Sequence, residues 1–480
     1  MDASSTAGTP QVVVVGGGVS GLTAAYQIVR ERPDAQVTVL ERERRAGGTA
    51  TTDVIAGFEL DRGPNGFLTN LPDALELSVE LGLAGELQPA SQAAQARFLY
   101  AAGRLEFVPT GVMALLRSRL LPPAAKLRMA LEPFVPTADP NEDESVHAFA
   151  ARRLGLAFAD AFVVPMLAGV TAGDAREVSL GAQFPRLHRL EVEHGSLVRG
   201  MLAQRRARRA AARRAAAGHG EQLASPSGGP AGPGGRLTSF RSGGVGRLTQ
   251  ALSEALGERV RTGVSVRSVS RSSGGLRVHT ADGEALPADR IIVATPAFAS
   301  ADLLDPLAPE AAALLRTIPY VGVRVVALAY PREAVPHLLG GFGFLVLPGQ
   351  HVRALGVLWT SSSFPHQAPA GQVLLRLLGG GARDPGFLEL SEGEAVAAAC
   401  EDLRRSLGIS AAPSLTHVVS WSRGIPQYTL GHRRRVAAIM DSAERVPGLS
   451  LTGNAYHGLG LNDCVRDARM VGRRVAAGLG

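Results

Sequence analysis

Gln11-Val-Val-Val-Val-Gly-Gly-Gly-Val-Ser-Gly-Leu-Thr-Ala-Ala-Tyr26 decides how the rest of the chain is read. Four valines in a row are a short strand buried on both faces. The run stops at Gly16-x-Gly18-x-x-Gly21, and residues from Leu22 to Arg32 continue at helical spacing. Gly16 permits a tight turn, Gly18 lets the backbone approach a pyrophosphate, and Gly21 lets helix and strand pack closely. Gly17, Val19 and Ser20 complete a loop whose N–H groups and helix dipole face the phosphates. A second strand, Gln36 to Leu40, ends at Glu41, 20 residues beyond Gly21. A carboxylate there accepts hydrogen bonds from ribose hydroxyls and repels a 2′-phosphate. Strand, turn, helix, strand and acid in this order predict a bound dinucleotide.

The residues after Glu41 favour FAD over NAD. The stretch Arg42 to Thr52 carries Gly47-Gly48-Thr49, an Arg/Gly-Gly segment suited to the pyrophosphate and ribityl chain of an extended FAD. Gly63-Pro64-Asn65-Gly66 is a glycine-punctuated loop that could approach the flavin ring, with an ordinary surface turn as the alternative. Near the other end, Leu449 to Val465 reads as a strand, a glycine-rich loop and a helix running on through Val475. Its helix N-terminus, with Leu459, Gly460 and Leu461, would face the flavin N1/C2=O edge and stabilise the reduced ring. Asn454 stands where such enzymes usually carry the ribityl-binding aspartate, and an amide still offers hydrogen bonds.

Composition sets the frame. The chain has 480 residues, enough for two to four domains. Its 45% hydrophobic and 19% charged residues exclude wholesale disorder. Cys400 and Cys464 are the only cysteines, too few for a disulfide framework or a thiolate-held zinc, so a reduced, intracellular protein is expected. The formal charge is +7, and Lys126 is the only lysine among 50 basic residues. That arginine skew, with abundant Ala and Gly, reflects GC-rich coding more than a basic binding face. Nucleic acid is not an expected partner, because no aromatics interleave with the basic runs. No run of 18 apolar residues predicts a membrane-spanning helix, and no secretory signal is visible. No His or Cys pairing at metal spacing occurs, so no metal is expected.

The chain resembles the protoporphyrinogen oxidase family, within the superfamily of monoamine oxidase and phytoene desaturase. The match is carried by Gly63-Pro-Asn-Gly-Phe-Leu68, Arg97-Phe-Leu-Tyr100, Pro165-Met-Leu-Ala-Gly-Val-Thr-Ala-Gly-Asp174, Ile425-Pro-Gln-Tyr-Thr-Leu-Gly-His432 and the Gly453 to Val465 segment. It covers nearly the whole chain, in order. The resemblance implies noncovalent FAD and oxidation of protoporphyrinogen IX to protoporphyrin IX in haem biosynthesis. Six electrons would leave in three two-electron steps to flavin N5, with O2 as acceptor and H2O2 as product. The chemistry is flavin-centred, so no catalytic side chain is assigned and the protein's part is orientation and enclosure.

The resemblance also implies residue roles. Arg97 would pair with a ring propionate, for which a guanidinium fork is well shaped. The carbonyl of Gly169 would face the reacting methylene. Phe342, Phe344, Leu345 and Leu377 would form the apolar wall, and Val266 would touch the adenine end through its backbone. Three other readings stay open. They are coproporphyrinogen III as substrate, an amine or carotenoid oxidoreductase on the same scaffold, and an FAD-binding scaffold without turnover.

The expected fold class is α/β: a Rossmann-type FAD-binding domain interleaved with a mixed-sheet substrate domain and a helical, membrane-associated lobe. FAD-binding parts are expected at 8–90, 236–300 and 416–480, the lobe at 91–212, a Gly/Pro linker at 213–235 and the substrate domain at 301–415. Within the lobe, Leu115 to Phe134 interleaves apolar residues with Arg117, Arg119, Lys126 and Arg128. Either a lipid-facing surface or an ordinary amphipathic helix fits. Arg205 to Arg214 reads as a lipid-binding stretch or a solvated helix face. The family further suggests a cytoplasmic protein, peripheral on the inner face of a bacterial cytoplasmic membrane. A homodimer and hand-over of product to a ferrochelatase are its remaining suggestions.

Overall fold

Two sheets share one chain that passes between them repeatedly. A computed structural model describes residues 9–216, 235–272 and 275–479. The chain opens with β1 (Gln11–Val15), α1 (Val19–Glu31) and β2 (Gln36–Glu41). It leaves for a hairpin, β3 (Phe98–Ala101) and β4 (Arg104–Phe107), and then for helices that include α2 (Val164–Thr171) and α3 (Leu197–Ala216). It returns with β5 (Val260–Thr262) and β6 (Arg290–Val293). A long excursion then runs through β7 (Tyr320–Pro331), β8 (Gly343–Val346), β9 (Gly356–Trp359), β10 (Gln372–Gly380), α4 (Glu392–Leu407) and β11 (Leu415–Pro426). Helix α5 (His432–Glu444), strand β12 (Leu449–Leu451) and helix α6 (Leu461–Ala477) bring the chain home.

The first sheet is parallel, in the order β5-β2-β1-β6-β12. Val12 and Val14 face one apolar layer, with Leu22 and Ile28 of α1 and Val465 and Val471 of α6. Val13 and Val15 face the other, with Ile439 of α5. Burial on both faces is why the strand reads as unbroken valine rather than alternating. Helices α1 and α6 therefore start at the same carboxyl edge of the sheet, where open α/β sheets bind ligands.

The second sheet is mixed, in the order β11-β7-β10-β9-β8-β3-β4, with β8 and β3 parallel and its other pairs antiparallel. One face is closed by α4, whose Ala395, Ala399 and Leu403 pack on Val326, Leu328, Leu375 and Leu377. The opposite face receives α2, where Ala168 and Ala172 meet Val323 and Leu378.

The structure redraws the expected boundaries. Arg97 to Phe107 leaves the lobe, because β3 and β4 hydrogen-bond into the second sheet. Strand β11 likewise belongs to that sheet, so the boundary at 415/416 falls at its start. The helix Ala297–Leu304 spans the boundary at 300/301 and packs on the first sheet. Pro122-Pro123 breaks the Leu115 to Phe134 stretch into the helices Val112–Arg117 and Pro123–Ala130 and a single turn at Glu132–Phe134. Lys126 Nζ closes the first of these by donating to the Leu116 and Ser118 carbonyls. The basic stretch from Arg205 lies on α3, where Arg205, Arg206 and Arg209 are exposed. Most of the 213–235 linker lies outside the described residues.

Candidate active site

The cofactor cradle is built at the carboxyl edge of β1. Gly16 has φ +107°, a conformation that favours glycine, and a Cβ on Gly21 would lie 1.9 Å from the Gly16 carbonyl oxygen. A Cβ on Gly18 would meet nothing within 4 Å, so the backbone there is open to a ligand. Helix α1 has no side-chain cap, which leaves the N–H groups after Gly18, those of Val19 and Ser20, for an anion. Gly47 donates its N–H to the Gly17 carbonyl at 2.7 Å, and Gly48 packs on Gly18. Glu41 is buried at the end of β2, where its carboxylate accepts from the Gly17 and Glu43 N–H groups at 2.7 and 2.9 Å. Gly63 packs against Thr49, which joins the two glycine loops.

Arg42 departs from its expected place. Its side chain is exposed and pairs with Glu43 at 3.2 Å. Arg45 is the arginine tied to this loop, donating to Thr52 O and Asp53. Val266 begins a strand two residues beyond Val264, whose N–H meets the Glu41 carbonyl at 2.9 Å. Asn454, Leu459 and Gly460 are in the half-buried to exposed loop before α6, and α6 also lacks a side-chain cap. Asp467 pins this loop from inside, accepting from Thr452 Oγ1 at 2.6 Å and holding His457 Nδ1 at 2.9 Å. Cys464 is a buried thiol pushed up to about 12 by burial. Two uncapped helix ends, a glycine bed and a ribose-side carboxylate fit FAD.

Strand alternation divides the expected substrate wall between two faces. Leu345 pairs with Gly356, which pairs with Leu378, and Gly169 on α2 closes on Leu345 from above. A Cβ on Gly169 would lie 2.3 Å from Leu345 Cδ2, so a larger residue at this helix position would make the Leu345 side chain shift. Phe344 pairs with Val357 and Val357 with Leu377, and all three lie in the closed core under α4. Phe344 is 2% exposed and Leu377 1%. They are therefore corrected to core residues. The other face of these strands carries Leu378, one residue on from Leu377, and the half-buried Leu358. A one-residue shift along a strand exchanges its faces.

Phe342 leaves the sheet just before Gly343, whose φ is +137°. It packs on the buried Phe364 cluster and lies under Arg97, whose guanidinium carbon is 5.6 Å from its ring centroid. Among the described residues Arg97 has no carboxylate partner. Solvent still reaches its side chain, while surrounding protein lowers its pKa through burial. The exposure keeps the head charged, and the missing partner leaves it free for an anion.

Arg376 went unassigned from sequence, although a charge inside the apolar run Leu374 to Leu378 is a visible signal. It shares a strand face with Leu378 and Leu358, and its Nη2 donates to the Gly63 carbonyl at 2.8 Å. Burial pushes Arg376 down and nearby buried Asp61 up, each restrained by the other's charge. Asp61 accepts from Thr52 and the Val245 N–H, so this pair ties the Gly63 loop to the second sheet.

Residues 19–479 match the flavin-containing amine oxidoreductase family. A coproporphyrinogen III oxidase of Propionibacterium freudenreichii subsp. freudenreichii is 34% identical over 95% of this chain and 89% of its own. The chloroplastic protoporphyrinogen oxidase 1 of Arabidopsis thaliana is 33% identical over 96% and 87%. A crystal structure of a candidate protoporphyrinogen oxidase from Exiguobacterium sp. 255-15 superposes with TM-score 0.81 at 26% identity, over 98% and 99% of the two chains.

Proposed function

Because the chain belongs to the flavin-containing amine oxidoreductase family, we propose that it oxidises a porphyrinogen to the conjugated porphyrin, with protoporphyrinogen IX as substrate and O2 as acceptor. The observation that carries this reading is Arg97. It is a cation over the Phe342 ring with no carboxylate partner among the described residues, just before β3 in the sheet that also carries Leu345 and Leu378. A flat tetrapyrrole with acidic side arms needs that combination of apolar slot and cationic rim. Bound FAD, held noncovalently, supplies the hydride acceptor. Leu345, Leu358 and Leu378 orient the macrocycle, Gly169 keeps α2 close over Leu345, and Arg97 sets which edge enters. Enclosure by these apolar groups excludes water from the reacting carbon.

Coproporphyrinogen III is the second reading, favoured by the relatives of that name from Propionibacterium freudenreichii and Bacillus subtilis. Porphyrin fluorescence after adding purified protein to each porphyrinogen in air decides between them. Faster turnover of protoporphyrinogen IX supports the main reading, and faster turnover of coproporphyrinogen III replaces it. A yellow protein that turns over neither points to the amine and carotenoid oxidoreductases or to a scaffold role.

Attachment of the lobe to a membrane surface belongs to the same proposal. Among the described residues no helix is long and apolar enough to cross a bilayer. Met113, Leu116, Leu127, Leu131 and Phe134 are nonetheless at least half exposed, beside Arg117, Arg119 and Lys126. Val170, next to Gly169, is a further exposed apolar side chain at 60%. An apolar surface edged with cations suits an anionic lipid interface and a poorly soluble substrate.

A further inference from the structure

We infer that Tyr428 is a positioning residue for the cofactor loop, setting where the N–H groups of Gly458 to Leu461 point; this rests on the FAD reading above. The side chain is 2% exposed, and its hydroxyl is used in both directions. It donates to the Asn454 carbonyl at 2.8 Å and accepts from the Gly458 N–H at 2.8 Å. One oxygen thus spans the two shoulders of the turn that leads into α6.

The rest of the residue is anchored elsewhere. Its carbonyl accepts from the Ser179 N–H at 2.8 Å, and Gln427 donates to the Thr171 carbonyl at the end of α2 at 3.0 Å. The ring stacks on His432, 3.9 Å between centroids and 13° between planes. This segment is therefore fastened through the Tyr428 carbonyl to the start of the Leu180–Gln183 helix, through the Gln427 side-chain amide to the end of α2, and through the Tyr428 hydroxyl to the loop before α6. With no side-chain cap on α6, the Tyr428 hydroxyl fixes the turn that presents the helix's free donors. A phenylalanine keeps the ring and the stack but leaves the Asn454 carbonyl and the Gly458 N–H unmatched.

The test compares holoenzymes. Tyr428→Phe is expected to weaken FAD binding at least about fivefold, the worth of one net hydrogen bond, and to change the visible flavin spectrum. The flavin midpoint potential is expected to become more negative, because the dipole facing the reduced ring loses its alignment. Asp143→Asn is the control. Asp143 accepts from Ser179 Oγ at 2.5 Å and the Gly431 N–H at 2.6 Å, on the lobe side of the same segment. It should lower the melting temperature and leave the spectrum and potential unchanged.

Wild-type spectrum, potential and FAD affinity in Tyr428→Phe would overturn the inference, as would equal flavin changes in Asp143→Asn. If Tyr428→Phe does not fold, Tyr428→His keeps a stacking ring, is too short to bridge the Asn454 carbonyl and the Gly458 N–H, and is read the same way. Failure of both to fold assigns the residue to the core and overturns its loop role. A wild-type chain that retains no flavin refutes the FAD reading itself, before any variant is compared.

Discussion

Arg97 and His432 show how a single residue's surroundings decide its use. Arg97 has an aromatic platform and no carboxylate partner among the described residues. Arg97→Ala is expected to raise KM about tenfold or more while FAD affinity stays at its wild-type value, since the side chain is assigned to substrate. Steady-state kinetics with parallel FAD titration check this, and an unchanged KM removes Arg97 from the site. His432 is 1% exposed, and burial, reinforced by Arg435, pushes it down to about 4 from 6.5. The unfolded chain then binds the extra proton between about 6.5 and about 4, so stability falls as the pH drops through that window. The loss approaches about 3 kcal/mol below the window. His432→Phe keeps a ring against Tyr428 and removes the titration. Its melting temperature should fall less than wild type between pH 7 and pH 5, and parallel losses would show that His432 stays solvated in the fold.

At the scale of elements, β10 carries two functions on alternate residues. Val373, Leu375 and Leu377 supply the apolar face under α4, while Leu374, Arg376 and Leu378 face the other way. Leu377→Ala is expected to cost about 2–5 kcal/mol of stability and to leave substrate specificity unchanged. Leu378→Ala should alter KM for the porphyrinogen through the slot. Thermal melts and kinetics on the two neighbours separate the roles, and identical behaviour would refute the two-faced assignment. Helix α2 packs closely too: Ala168 and the C-cap Ala172 lie on the sheet, and Gly169 between them lies against the Leu345 side chain. The sequence motif around Gly169 signals its importance, but a lone glycine reads equally well as a turn until the helix is placed.

In the described residues, two large sheets are built from alternating segments of one chain, the first carrying the glycine loops proposed to hold FAD. That weave brings Gly63 from the first part to Arg376 in the second, 313 residues apart. It also brings Tyr428 to the loop before α6. The lobe adds an apolar, basic surface whose proposed membrane role is tested by replacing Leu127, Leu131 and Phe134 together with Ser. Binding to vesicles of anionic lipid is expected to fall several-fold, with turnover in detergent preserved, since each exposed apolar side chain contributes to burial in the interface. Unchanged vesicle binding would exclude this surface as the contact.

The sequence alone determined the cofactor cradle, because its parts are local: a strand, a turn and a helix start within a dozen residues, and a carboxylate at the next strand's end. It also determined the family, through short motifs that occur in order along the chain. Only the tertiary structure decided which side of β8 and β10 lies under α4 and which faces away from it. In a strand buried on both faces the residues are apolar in either direction, so Leu377 and Leu378 are indistinguishable until neighbouring strands and α4 are in place. Tertiary structure likewise decided that Arg97 lies just before β3 in the second sheet, that Arg42 points to solvent and that Arg376 supports the Gly63 loop. Each depends on how the chain packs in three dimensions, which no local pattern encodes.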